Sequence, residues 1–403
     1  MNLFRKKTII RIQFFISKYK IIFSSVSTLA LLLILVHPRL RLLQDNPTQP
    51  WQTKYANGTP ELAEPLAYQC CTPSSNPFRT NLYFVKNHKT GSSTVQSVIL
   101  RFAMLNSLDV LSLNYASYYW PLSDQSIHRE TITPNNKYHI LAQHTRYDPK
   151  LKLYQYPNTS MVTLLRHPAT LFQSVYNFFN MDQEMGMSFE TFIKAPSKPA
   201  LTKGVGGFVA YRGYNQMSVD LGFDLKQSNN QTAIDKFIEK IDRDFDLVMI
   251  TEQMEASFVL LASLMGWPLE YVTYLSLNVR PPESDPYKLT KEDIDTLMEL
   301  NQVDTQLYYH FLKKFMKCKQ QYGEAELDEQ INQLRLINQQ LKDKCVKEEV
   351  TRGLHYGRMT SVEYIPKNES DLECVYSTQL NPTLSKTARM VQAERLRTFR
   401  KKK

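Results

Sequence analysis

Asn81-Leu-Tyr-Phe-Val-Lys-Asn-His88-Lys89-Thr90-Gly91-Ser92-Ser93-Thr94 opens the stretch on which the fold is decided. Leu82 to Val85 is a β-prone run, and beyond the loop Val95, Val98, Ile99 and Phe102 recur at i, i+3, i+4 and i+7, one face of a helix. The pattern predicts strand, loop and helix. The loop puts small donors and one cation, Lys89, at a helix N-terminus, where unpaired N–H groups and a positive dipole end suit phosphate or sulfate. An ATP-type loop requires Gly-x-x-x-x-Gly-Lys-[Ser/Thr], and positions 83 and 88 are Tyr and His instead. A plain helix N-cap rich in Ser and Thr is the alternative without a ligand.

A second stretch, residues 161–179, repeats the pattern. Arg166 closes a strand-like run, Pro168 suits a first helical turn, and Leu171, Val175 and Phe178 supply the stripe to be buried. Ser174 follows Arg166 by eight residues. A rigid guanidinium fork and a hydroxyl suit one terminal phosphate. Further strand-like runs at 138–142 and 247–250 alternate with helical patterns, which predicts an α/β fold with a central parallel sheet flanked by helices. Ligands of such sheets sit beyond the strands' carboxyl ends.

The run Lys86-Asn-His-Lys-Thr-Gly-Ser-Ser-Thr94 resembles the 5′-phosphosulfate loop of the galactose 3-O-sulfotransferases, and Arg166 with Ser174 resembles the family's 3′-phosphate signature. The resemblance continues through His139-Ile-Leu-Ala-Gln-His144-Thr-Arg146-Tyr, Tyr214-Asn215, Asp220-Leu-Gly-Phe, the segment around Glu252, Leu275-Ser-Leu-Asn278-Val-Arg280 and Asp304-Thr-Gln-Leu-Tyr-Tyr-His-Phe. It spans residues 80–345 in order. It implies a P-loop-like sulfotransferase fold that binds 3′-phosphoadenosine 5′-phosphosulfate (PAPS). Lys89, Thr90, Gly91, Ser92, Ser93 and Thr94 then hold the phosphosulfate, and Arg166 and Ser174 the 3′-phosphate. The implied reaction is sulfuryl transfer to a hydroxyl, the 3-OH, of a terminal galactose on a glycolipid or glycoprotein glycan.

Such a transfer needs a base. A histidine's ordinary pKa of about 6.5 suits that work near neutrality. His88, beside Lys89, is the favoured base; His144 is the other candidate and a contact for the acceptor or sulfuryl group. Glu252, just past the strand-like run at 247–250, is placed to orient either histidine or to bind sugar hydroxyls. A P-loop-type kinase is the rival enzyme, with Glu252 as its only clear Mg²⁺ carboxylate, and a membrane-anchored glycan-binding protein the rival non-enzyme. No metal motif stands out, and the transfer demands none.

The chain around this core reads as a secretory-pathway protein. Residues 1–20 carry six Lys and Arg and no acid, and residues 21–38 carry no charge, a short but sufficient transmembrane signal-anchor. The basic flank predicts a cytoplasmic N-terminus and a lumenal remainder, hence a single-pass type II Golgi protein. A cleaved signal peptide is the competing reading. Residues 39–79 form a proline-rich stem, 80–350 the sulfotransferase domain and 351–403 a basic, solvated tail. Sequons at Asn57, Asn158, Asn230 and Asn368 agree with a lumenal placement. Five cysteines without metal-ligand spacing fit a compartment that permits disulfides, and the odd count leaves one free or bonded between chains. Residues 324–350 predict an amphipathic helix packed on the core through Leu327, Ile331, Leu334, Leu341 and Cys345. The formal net charge of +10 suits a polyanionic cofactor, while nucleic acid is a poor partner for a lumenal chain. Assembly into a homo-oligomer stays open.

Overall fold

The computed structural model describes residues 76–113, 124–194, 196, 213–276, 287–353 and 360–401. The chain divides into two units, Met1–Thr59 and Pro60–Lys403, and every described residue belongs to the second. Among the described residues no helix is long and apolar enough to cross a membrane. The expected anchor at 21–38 and most of the stem lie outside them.

The sheet is built from β1 (Leu82–Val85), β2 (Ile140–Gln143), β3 (Ser160–Leu165) and β4 (Leu247–Ile250). They pair in the order β2-β1-β3-β4, and every pairing is parallel. β1, β3 and β4 are buried along their whole length, as strands covered on both faces must be, and so read as apolar runs without alternation. The described helices of eight or more residues that flank it are α1 (Ser92–Leu105), α2 (Pro168–Phe178), α3 (Gln231–Asp244), α4 (Met254–Met265), α5 (Lys291–Leu300), α6 (Gln302–Tyr322), α7 (Glu324–Cys345) and α8 (Asn381–Lys401).

The strand order decides where a ligand can sit. The chain leaves β1 for β2 on one side, while β3 pairs on β1's other side and leads outward to β4. The loops leaving β1 and β3 therefore diverge and open a crevice at the strands' carboxyl ends. Both anion motifs follow those two strands.

α7 buries Leu327, Ile331, Leu334, Leu341 and Cys345 as expected, but it stops at Cys345, and residues 346–350, expected to continue it, form a strand instead. Beyond it the structure departs from a solvated tail. An antiparallel hairpin, β5 (Val346–Gly353) with β6 (Thr360–Pro366), crosses the expected domain boundary at 350. A disulfide joins Cys345 to Cys374 across this hairpin. α8 then lies on α1 and buries Leu384, Ala388, Gln392 and Leu396. Gln392 accepts from Val110 N at 2.6 Å and donates to Thr131 O at 2.9 Å, and Arg395 pairs with Asp109. A basic composition did not exclude burial because the stripe is a narrow i, i+4 row, and the lysines and arginines occupy the remaining faces.

Candidate active site

The turn after β1 is held down before it reaches its ligand-facing residues. Asn87, fully buried, donates from Nδ2 to Thr163 Oγ1 at 3.2 Å and to Leu164 O at 3.1 Å, which ties the turn to β3. Its carbonyl accepts from Ser92 Oγ at 2.6 Å and Thr90 Oγ1 at 3.3 Å. Those hydroxyls brace the loop. The N-cap of α1 is Gly91, in a left-handed conformation at φ 78°, with no side-chain cap and no acid in the first turn. A Cβ there would approach Met254 Cε to 3.3 Å. The plain Ser/Thr cap is thus not what forms, and the first-turn N–H groups keep the orientation of an anion cradle.

Lys89 also has positive φ, 58°, a strained value for a side chain with a Cβ. Its Nζ lies 3.6 Å from the centroid of the Phe178 ring at the end of α2. Arg166 reaches across from β3 and donates from Nη1 to Lys89 O at 3.0 Å and from Nε to Thr170 Oγ1 at 3.1 Å. The two motifs are therefore one unit. Thr170 and Ser174, four apart on α2, share a helix face with this guanidinium. α2 begins at Pro168, and its N-cap His167 also makes no side-chain cap bond. Burial, with Arg166 adding, lowers the His167 pKa to about 4, so this side chain adds no charge beside the guanidinium. Thr251, just past β4, places its hydroxyl 2.6 Å from Thr90 O and 2.8 Å from Leu165 O, pinning both turns.

The histidines meet beside this cradle. His88 and His144 stack with ring centroids 4.1 Å apart and an interplanar angle of 14°. His144 follows β2, and its Nδ1 lies 3.1 Å from Lys86 O; a carbonyl only accepts, so Nδ1 carries the proton. Burial, then His88 and Lys86, push its pKa well down, and the ring is neutral near pH 7. His88 faces Asp220, whose Oδ2 accepts from the His88 backbone N at 2.6 Å and lies 3.0 Å from Nδ1. Beneath them Lys86 is buried against Gln96 Oε1 at 2.5 Å, and burial lowers its pKa to about 7.

Glu252 sits elsewhere. Its Oε1 accepts from His167 N at 2.9 Å and its Oε2 from Tyr308 OH at 3.1 Å, so it supports the turn that carries Arg166. It follows β4, at the opposite sheet edge from β2 and His144, three strand spacings or about 14 Å away. Orienting a histidine is not the work of this carboxylate. Among the described residues no cluster of three metal-ligating side chains occurs.

Four residues received no role in the sequence reading: Asn87 and Asp220, quoted there only within longer stretches, and Thr170 and Thr251. Asn87, Thr170 and Thr251 neighbour the motifs and follow strands or open a helix, which could have marked them. Asp220 lies 132 residues from His88, and no spacing links them.

A parallel α/β sheet whose switch point carries two helix N-termini without side-chain caps, Lys89 and Arg166 offers donors and cations suited to an anionic ligand. Comparison with known proteins narrows that class. The family model for galactose-3-O-sulfotransferase matches residues 14–358. Galactose-3-O-sulfotransferase 3 of Homo sapiens is 31% identical over 297 residues, covering 69% of this chain and 67% of that protein. Galactosylceramide sulfotransferase of Bos taurus is 27% identical over 326 residues, 76% of either chain. The aligned part of galactose-3-O-sulfotransferase 3 falls to 63% of its length in Mus musculus and 65% in Bos taurus. The chain belongs to the galactose-3-O-sulfotransferase family, and so to the carbohydrate sulfotransferases.

Proposed function

We propose that the protein transfers a sulfuryl group from PAPS to the 3-OH of a terminal galactose on a glycolipid or glycoprotein glycan. One observation carries this reading: two helix N-termini, Lys89 and Arg166 converge at one crevice with a stacked histidine pair at its side. The donor set fits PAPS, because two cationic side chains at two helix N-termini answer its two phosphate groups. PAPS, when bound, supplies an activated sulfuryl group on a phosphate leaving group. Lys89, the N–H groups of Gly91, Ser92 and Ser93 and the Thr94 hydroxyl hold the phosphosulfate end and stabilise the growing charge. Arg166, Thr170 and Ser174 hold the 3′-phosphate. His88 and His144 face the acceptor hydroxyl, one as base and one as a positioning contact.

Two relatives' names contain galactose and galactosylceramide, which supports a galactose acceptor. A panel of galactosides, glucosides and galactosylceramide assayed with labelled PAPS, and ATP as competitor, tests the reading. Galactoside sulfation that excess ATP leaves intact is expected; transfer from ATP alone would refute it.

The same reading places the enzyme in the Golgi membrane, anchored by residues 21–38, with its catalytic domain in the lumen. The exposure of Asn158, Asn230 and Asn368 supports that side. In sealed microsomes the domain should resist protease until detergent is added, and digestion beforehand would reverse the topology.

A further inference from the structure

We infer that Asp220 is the positioning residue that fixes the His88 tautomer and makes His88, not His144, the base. The inference rests on the sulfotransferase reading. Asp220 is fully buried and ends a short helical turn, Gln216–Asp220. Its two oxygens lie 3.1 and 3.0 Å from His88 Nδ1, and Oδ1 also accepts from Gln216 Nε2 at 2.9 Å. Its carbonyl accepts from Tyr147 N at 2.8 Å. The other end of the turn is held by Asp304, which accepts from Met217 N at 3.1 Å, Ser218 N at 2.8 Å and Ser218 Oγ at 2.6 Å. Asn215 adds two more bonds, from Val303 N and Asp304 N, so α6 clamps the segment rigidly.

A carboxylate accepts and cannot donate, so Nδ1 of His88 carries its proton toward Asp220 and the neutral ring's lone pair is on Nε2. As the acceptor hydroxyl's oxygen forms the new O–S bond, its proton passes to Nε2, and the broken S–O bond leaves its electron pair on the donor's phosphate. The imidazolium so formed is stabilised by the carboxylate of Asp220. His144 has the opposite surroundings. Its Nδ1 faces a neutral carbonyl, and burial with His88, Lys86 and Lys89 penalises a positive charge there. Among the described residues the charged and titratable groups around His88 are Asp220 from the turn before α3, His144 after β2, Lys86 and Lys89 on its own turn, and Arg166 through Lys89 O, with Asp304 behind Asp220.

Asp220→Asn in the full-length protein tests the pair. An amide keeps an oxygen for His88 N but turns a donor toward Nδ1, which shifts the ring proton to Nε2 and removes the base. We expect kcat to fall about 10²–10⁴-fold while affinity for 3′-phosphoadenosine 5′-phosphate stays within about twofold. The acidic limb of the wild-type pH–kcat profile should be lost with it. A kcat within about threefold of wild type and an unchanged profile would overturn the inference. Long-range ¹H–¹⁵N spectra of histidine-labelled wild type, with His88 identified by its loss in His88→Gln, read the tautomer directly, without relying on the variant's folding. A proton on Nδ1 supports the pair, and a neutral ring protonated on Nε2 defeats it. Folded wild type that binds the nucleotide but sulfates no galactoside would instead sink the functional reading, and the spectra still decide the pair.

Discussion

Replacing Lys86 with methionine separates the site's two lysines by their chemistry. Lys86 is 5% exposed, its partner is the neutral Gln96 amide oxygen, and burial lowers its pKa from 10.5 to about 7. In the unfolded chain the amine keeps its proton to 10.5, so between 7 and 10.5 the unfolded state binds a proton that the fold excludes. Raising the pH through that window therefore favours folding, and below about 7 both states are charged and the dependence ends. Each pH unit is worth about 1.4 kcal/mol, so wild type should gain about 2–3 kcal/mol over Lys86→Met between about pH 7 and about pH 9. Urea unfolding of both proteins across that range measures it, since the difference between them cancels the other titrations. A difference that stays constant with pH would show that Lys86 remains an ammonium in the fold. The cradle would then hold two cations, and the role given to Lys89 alone would fail.

Three further outcomes follow from the site and its frame. Arg166→Ala should weaken 3′-phosphoadenosine 5′-phosphate binding by about 10–100-fold, and Arg166→Lys should recover only part of that because the planar fork is gone. Calorimetry that finds full affinity in folded Arg166→Ala would refute the phosphate assignment. Lys89→Met should lower kcat about 10²–10³-fold, whereas a change confined to the acceptor's KM would place Lys89 on the sugar. Cys374→Ser opens a loop closed across 29 residues and should cost about 3–4 kcal/mol of stability, read as a fall in Tm. An unchanged Tm would mean that the hairpin and α8 hold without the bond.

What the sequence made legible was local. β1 and β4 fall where their apolar runs do, and α7 buries the same five residues its periodicity named, because strand and helix periods act within a few residues. The loop after β1 and Arg166 after β3 lie at strand ends, where they were read, for the same reason. What escaped was long-range or carried by modest side chains. Asp220 meets His88 only through the sheet order and the clamp from Asp304. Three of the five buried positions on α8, Asn381, Ala388 and Gln392, carry little apolar signal amid arginines and lysines. Glu252 was found after a strand, as read, but which neighbour a carboxylate serves depends on which edge that strand takes.

The docking of α8 on α1 also sets an order of events in synthesis. Asn381 donates from Nδ2 to Ser93 O at 3.0 Å across 288 residues, and Ser385 Oγ accepts from Gln96 Nε2 at 3.2 Å. At about 5–20 residues per second the ribosome needs roughly 15–60 s to carry the chain from one partner to the other. Through that interval the helix that follows the β1 loop is translated but lacks its cover, and the surface α8 will bury stays open to chaperones. A chain shortened before residue 381 should therefore be held by chaperones and recovered at lower yield even though Lys89 and Arg166 are intact.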